Sequence, residues 1–203
     1  HPVHRARSTV IAQRRFAIAP GLLDQLVEGT ATDLVPPAAG LATYPSFADL
    51  SRYCYLVASV VGLVCIRIFG YSDPSAEKLA EETGIALQLT NILRDVAEDA
   101  ERNRVYLPLE DLAAHGVMLD SLLNRVAGAK PTVNERALLA KIAGRAESYY
   151  ESAGKLLPLI DRESRPALRV LVSIYHELLK HIERADYDVF SQRISVPTVQ
   201  KLS

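Results

Sequence analysis

Apolar positions recur every three to four residues along most of this chain, and no alternating strand pattern runs for any length. The pattern predicts helix after helix. Segments His4–Ala17 and Leu22–Asp33 read as short helices broken at Ala19-Pro-Gly21, and a Pro/Gly-rich loop follows from Pro36 to Pro45. A helix is expected over Phe47–Phe69, ending at Gly70. Asp73-Pro74 combines an N-cap with a proline at the first helical position, and opens a long helix to about Glu101. A short helix at Leu109–Ala114 and a weaker one at Leu119–Ala127 lead to the linker Gly128–Pro131. Thr132-Val-Asn-Glu135 is a capping box for a helix ending near Pro158. Ser164-Arg-Pro166 opens the last helix, expected to reach about Phe190. There is no internal repeat, and the fold class is all-α.

One stretch, Tyr53–Ile66, is uncharged and apolar all round. Its fourteen residues fall short of the roughly 20 needed to span a bilayer. Such a helix is buried in a core or lines an apolar cavity. Ala58, Ser59 and Gly62 add small side chains that let something approach closely. That something is either a packed helix or a ligand.

A second stretch breaks the usual pattern. In the long helix, Gln88, Asn91, Asp95 and Asp99 follow one another at spacings of three, four and four. At about 100° per residue they share a narrow arc, beside the apolar stripe rather than opposite it. Solvated helix faces favour Glu and Lys, which are good helix formers. Asp and Asn in mid-helix carry a local cost, and such violations mark functional sites. Oxygen donors at the edge of a core suit Mg²⁺, a hard ion held by one or two carboxylates plus substrate phosphates and water. The stripe therefore reads as a Mg²⁺–diphosphate site, with a solvated acidic face as the alternative.

Composition adds limits. The chain has 203 residues, enough for one domain with a sizeable core, and a formal net charge of −1, which gives no reason to bind nucleic acid. Arg5, Arg7, Arg14 and Arg15 cluster at the start without accompanying aromatics. Cys54 and Cys65 lie roughly 16 Å apart by helical rise, too far for a disulfide, and read as buried thiols of a reducing compartment. No signal peptide is recognised, so a cytoplasmic location is expected. His176-Glu177 with His181 imitates a zinc motif, but its imidazoles stand about 140° apart and cannot share a metal.

The motifs carry a resemblance. Gly84, Gln88, Asn91, Arg94-Asp95, Asp99, Arg104, Tyr106 and Pro108 resemble the second aspartate-rich motif of the squalene/phytoene synthase family. Tyr53-Cys-Tyr-Leu-Val-Ala-Ser-Val-Val-Gly62 is similar to a further signature of that family, in the right order. Tyr175-His-Glu-Leu-Leu through Tyr187-Asp-Val-Phe190 and Arg193 resembles its C-terminal helix. Thr83 and Asn103 depart from the family's usual aliphatic residue and glycine. A larger departure is that no first aspartate-rich motif precedes Tyr53. Asp24-Gln-Leu-Val-Glu28 sits too close to the Tyr-Cys signature and reads as a surface helix turn. The expectation is a single domain over residues 1–203, N-terminally incomplete.

The resemblance implies an isoprenoid synthase-type helical bundle around a central cavity. It implies head-to-head joining of two prenyl diphosphates, farnesyl or geranylgeranyl, to a phytoene-, squalene- or presqualene-type product. Asn91, Asp95 and Asp99 would hold Mg²⁺ (or Mn²⁺), with Gln88 completing or orienting that shell. Arg94, Arg104 and Arg193 would contact diphosphate oxygens, or pair structurally with Glu98 or Asp186. Tyr53, Tyr106 and Tyr175 would lie near the cation or the diphosphate. Val57, Ala58, Val61 and Gly62 would wall a prenyl tunnel. NADPH is the less expected cofactor, and a peripheral membrane contact would serve product release. Two alternatives stand beside this one: a non-catalytic or partner-dependent remnant, and another class I terpenoid synthase. With one acidic motif, residues 1–203 alone are expected to be nearly inactive and prone to aggregate.

Overall fold

The computed structural model of the protein describes residues 15–34, 40–126 and 128–196. Its core is a layer of helices packed around one long member. The elements are α1 (Pro20–Leu34), β1 (Ala42–Thr43), α2 (Phe47–Cys54), a π-helical turn (Tyr55–Ser59) and α3 (Val60–Phe69). They continue with α4 (Ser75–Glu101), β2 (Arg104–Val105), α5 (Leu109–Ala114) and α6 (Leu119–Leu123). α7 (Val133–Leu156), a 3₁₀ turn (Leu157–Leu159) and α8 (Arg165–Arg184) complete the described part. Most of the predicted helix His4–Ala17 and of the loop's first half lies outside the described residues.

The helix expected over Phe47–Phe69 is continuous but not uniform. The N–H of Val60 bonds to the carbonyl of Tyr55, five residues back, and widens one turn. Ser46 and Asp49 cap its start reciprocally. Gly70 ends it at φ 77°, where a Cβ would lie 2.0 Å from Asp161 Oδ2. The 23-residue helix contains an 18-residue window of mean hydropathy 1.7 and is, by length and composition, long and apolar enough to cross a membrane. The uncharged run Tyr53–Ile66 is itself shorter than a span, and the helix reaches that length through flanking turns that carry Asp49, Arg52 and Arg67. Here it packs along α4.

The two helices touch closely. At Gly84 an added Cβ would stand 2.6 Å from Ser59 Cα and 2.7 Å from its nitrogen. The hydroxyl of Ser59 donates to the Glu81 carbonyl at 2.6 Å. A Cβ at Gly62 would sit 3.2 Å from the Ala80 carbonyl oxygen. The small-residue stripe of the Tyr53–Ile66 segment therefore does serve helix packing.

Two expectations about extent need correction. The last helix stops at Arg184, not near Phe190, because Asp186 and Tyr187 take left-handed φ values of 53° and 58°. The weak helix after Leu119 ends at Leu123 rather than Ala127. The all-helical reading also passes over a parallel pair, Ala42 with Arg104 and Thr43 with Val105. Two residues a strand are too few to show periodicity, yet they tie the loop before α2 to the segment after α4. Leu109 N–H to Tyr44 O (2.9 Å) and Phe47 N–H to Glu110 Oε1 (2.8 Å) extend that seam. Buried Asp111 on α5 pairs with Arg145 and with Lys141 (2.8 Å) of α7. The capping box at Thr132 forms as predicted, with Thr132 N–H 2.7 Å from Glu135 Oε2.

Replacing Gly84 with Ala should force α3 and α4 apart and cost about 2 kcal/mol. Gly144 lies on the exposed side of α7 with open space around its Cα. There, Gly→Ala should gain about 0.5–1 kcal/mol. Urea unfolding of the two variants checks both signs at once.

Candidate active site

The polar stripe of α4 forms the wall of a pocket of about 400 Å³. Gln88, Asn91, Asp95 and Asp99 all line it, together with Tyr53, Arg94, Arg102, Arg104 and Tyr106. None of the four stripe residues is fully buried or fully exposed. Their neighbours Leu89, Ile92, Leu93 and Val96 are buried in the core. The stripe thus borders the core, as its position beside the apolar residues requires.

Three of these side chains are oriented by near neighbours. Arg94 forms a two-pronged pair with Asp95 on the same helix, its Nε 2.7 Å from Oδ1. Arg193 approaches from the chain beyond α8, 3.4 Å from Asp95 and 3.0 Å from Glu98. The structural partner of Asp186 is Arg136 (2.8 Å), not one of the three site arginines. Arg104 donates to the Tyr106 hydroxyl at 3.4 Å.

An apolar cavity of about 290 Å³ adjoins the pocket. Val57, Ala58, Val61 and Gly62 line it from one side, Gly84 and Leu87 from another, and Leu171 and Tyr175 from α8. Gln88 and Asn91 belong to both spaces. From Asn91 to Ala80, which also borders the cavity, α4 runs about 16 Å. Val61 (41% exposed) and Leu171 (43%) leave one side of this wall open. Cys65 lines the cavity and is therefore only partly buried, unlike Cys54, whose thiol burial pushes up to about 12.

The sequence matches the squalene/phytoene synthase family over residues 1–200. The chain belongs to that family. It is 37% identical over 191 residues to the 15-cis-phytoene synthase of Synechococcus elongatus, covering 87% of this chain and 58% of the relative. It is 36% identical over 197 residues to phytoene synthase 3 of Zea mays, covering 93% and 43%. A dehydrosqualene synthase crystal structure with a bound ligand superposes with TM-score 0.82 at 31% identity, over all of this chain and 68% of that one. The squalene synthase HpnC of Alicyclobacillus acidocaldarius gives TM-score 0.79 at 26% identity, over 90% and 66%. The chain spans about half the length of the curated relatives it matches. The isoprenoid synthase-type fold expected from the motifs is thus shown.

Squalene/phytoene synthases use a divalent metal to bind diphosphate, and one feature of this chain fits such an ion. Asn91 Oδ1 is buried and has no hydrogen-bond partner among the described residues, while its amide nitrogen donates to Gln88 Oε1 at 3.4 Å. An orphaned acceptor costs free energy unless something electropositive reaches it. With Asp95 and Asp99 it forms an all-oxygen donor set of the kind Mg²⁺ takes. Among the described residues no three His, Cys, Asp or Glu side chains converge as a self-sufficient metal cage.

Two participants escaped sequence reasoning. Tyr44 stacks its ring on Tyr106 (centroids 5.7 Å apart) and tilts against Tyr53 (5.3 Å), while Tyr53 and Tyr106 stack on each other at 5.0 Å. Nothing in its spacing marks Tyr44, which follows a loop. Arg102 stands in plain view between Asp99 and Arg104 but reads as an ordinary helix end. Asp24 and Glu28 lie exposed on α1 and line none of these spaces. The false zinc motif disperses: His176 binds Glu147 at 2.9 Å, and His181 faces Glu177 at 3.2 Å.

Asp99 is electrostatically uncomfortable. Burial and then the neighbouring Asp95 push its carboxyl up to about 6, with Arg102 and Arg104 opposing. A raised carboxyl pKa means that ionisation destabilises the fold. The cost is absent below pH ~4, where both states are protonated, and complete above pH ~6. Asp99→Asn should therefore raise stability by about 1 kcal/mol at pH 8, after allowing for solvent screening, and by nothing near pH 4. Mg²⁺ with pyrophosphate should raise the melting temperature of the parent but not of the variant. Thermal scans at the two pH values, with and without Mg²⁺–pyrophosphate, check both.

Proposed function

We propose that this protein is a prenyltransferase acting on farnesyl or geranylgeranyl diphosphate, of the type that joins two such molecules head to head. Its product would be phytoene-, squalene- or presqualene-like. The observation that carries the reading is the junction at Gln88 and Asn91. There a pocket lined by carboxylates and arginines opens into an apolar cavity. A diphosphate head with a long hydrocarbon tail has the same two-part chemistry.

Diphosphate departs only when its charge is neutralised, and the allylic cation left behind must be kept from water. Asn91, Asp95 and Asp99 would hold Mg²⁺, whose charge lowers the cost of diphosphate departure. Gln88 orients Asn91. Arg94, Arg104 and Arg193 offer forked donors to phosphate oxygens, and Arg94 and Arg193 hold the Asp95 carboxylate in place until then. Tyr53 and Tyr106 present stacked rings to the pocket, and Tyr175 borders the cavity; π faces suit a nearby cation. Val57, Ala58, Val61 and Gly62 exclude water from the tail.

Asp95 and Asp99 are the only acids lining these spaces among the described residues. That favours a second reading, in which this chain holds one substrate and couples two only with a further acidic surface. Calorimetry of farnesyl thiodiphosphate, a non-ionising analogue, with Mg²⁺ tests the common part. Binding should require Mg²⁺ and weaken at least tenfold in Asp95→Ala/Asp99→Ala. Absence of Mg²⁺-dependent binding would falsify both readings. Product extraction after incubation with farnesyl or geranylgeranyl diphosphate separates them: robust coupling by these 203 residues sinks the second.

The cavity wall generates its own prediction. Ala58→Phe should shorten the longest prenyl tail that binds, at unchanged pyrophosphate affinity. Binding of C10, C15 and C20 analogues to parent and variant gives the answer, and an unaltered length preference removes Ala58 from the wall.

A further inference from the structure

Beyond α8 the chain reverses through two consecutive left-handed residues, Asp186 and Tyr187. Tyrosine rarely adopts this conformation, so the surroundings must impose it. Arg136 Nε holds the Asp186 carboxylate at 2.8 Å. Asp188 accepts from the Ser191 N–H at 3.1 Å and from its hydroxyl at 2.6 Å. Val189, Phe190, Ile194 and Val196 then bury themselves in the core. Within this otherwise anchored strap sits Arg193, 59% exposed, reaching Asp95 and Glu98. An exposed ion pair fixes a long side chain poorly. Its direction has to come from the backbone beneath it.

That backbone is pinned at Phe190. The Arg125 guanidinium carbon lies 3.7 Å over the centre of the Phe190 ring. Arg125 cannot swing away. Its two terminal nitrogens fork onto Glu135 at 2.6 and 3.1 Å, and Nη2 also meets the Lys130 carbonyl at 3.0 Å. Glu135 is in turn held by the capping box that starts α7. The Arg125 side chain is 14% exposed, so its attraction to the ring is little weakened by water. A rigid charged plate thus fixes the ring, and the ring stands three residues before Arg193. The intervening Ser191 is tied down by Asp188.

We propose that Arg125 and Phe190 form a clamp that positions Arg193 at the diphosphate pocket. Both are positioning residues that touch no substrate, and the inference rests on reading the Asp95 pocket as a diphosphate site. The clamp joins the start of α7 to the acidic helix through a strap that neither signature motif contains.

Phe190→Leu removes the ring while keeping the site apolar and the Arg125–Glu135 pair intact; Phe190→Tyr keeps the ring. Calorimetric titration with Mg²⁺–pyrophosphate should show about fivefold weaker binding for Phe190→Leu and less than twofold change for Phe190→Tyr. In an Arg193→Gln background, which itself weakens binding, Phe190→Leu should have no further effect. Independent, multiplying effects of the two substitutions overturn the clamp, as does full affinity in Phe190→Leu or in Arg193→Gln. A ligand-free arm uses limited trypsin digestion with mass spectrometry. Cleavage after Arg193 should accelerate at least fivefold in Phe190→Leu and stay at the parent rate in Phe190→Tyr. Equal rates in all three proteins overturn the proposal. If the parent binds no pyrophosphate, the diphosphate reading fails, and faster cleavage in Phe190→Leu alone still shows the strap to be held by the ring.

Discussion

At Gly84 the backbone of α4 meets the backbone of Ser59 with no room for a methyl group. Much of the candidate site follows from that contact. It sets the separation of the two apolar helices whose facing sides bound the cavity. The π turn at Tyr55–Ser59 lies at the same place, and its extra residue rephases the helix on either side. Val57 and Ala58 within the turn, and Val61 and Gly62 beyond it, all border one space. Four residues past Gly84, one helical turn along, Gln88 marks where that space turns polar. The crossing, the cavity and the acidic pocket are thus successive stretches of a single helix.

The polar end is built from opposed charges rather than from burial alone. Asp95 has two guanidinium groups within reach, Arg94 from its own helix and Arg193 from the strap. Asp99, one turn on, is opposed by Arg102 and Arg104, yet burial and the neighbouring Asp95 disfavour its ionised form. Asn91 adds a buried acceptor that no group among the described residues satisfies. The pocket therefore presents two uncomfortable oxygen groups, the Asp99 carboxyl and the Asn91 carbonyl, on one helix. In the proposed reading a dication with an anionic ligand would relieve both together, and stability alone gives no reason to keep them.

The seam between the two signature motifs serves the same end. The two motifs meet directly at Gly84 and Ser59 and at the rings of Tyr53 and Tyr106, and the loop before Tyr53 adds contacts that neither contains. The short parallel pair and the bond from Leu109 to Tyr44 bring the loop before Tyr53 against the segment holding Tyr106. Three tyrosine rings then stack where the two meet. Lost order in this loop would loosen two pocket rings at once, although the loop itself lines no part of the pocket.

By itself the sequence determined what depends on local spacing. Helical periodicity placed most helices, and the Thr132 capping box and Gly70 placed two of their ends. The three-and-four spacing of Gln88, Asn91, Asp95 and Asp99 put those side chains on one face before any fold was known. The apolar run with Ala58, Ser59 and Gly62 announced a close neighbour without saying which. Tertiary structure decided what depends on partners distant in the chain. The C-terminal helix was read too long because its polar–apolar pattern continues past Arg184. The left-handed turn that ends it closes on local backbone bonds, Tyr187 N–H to Ile182 O at 3.0 Å among them, and Arg136 reaches its Asp186 across fifty residues of sequence. Tyr44 and Arg125 were invisible for the same reason. A ring stack or a cation over a ring is a relation between two positions, and a single sequence shows only one of them at a time.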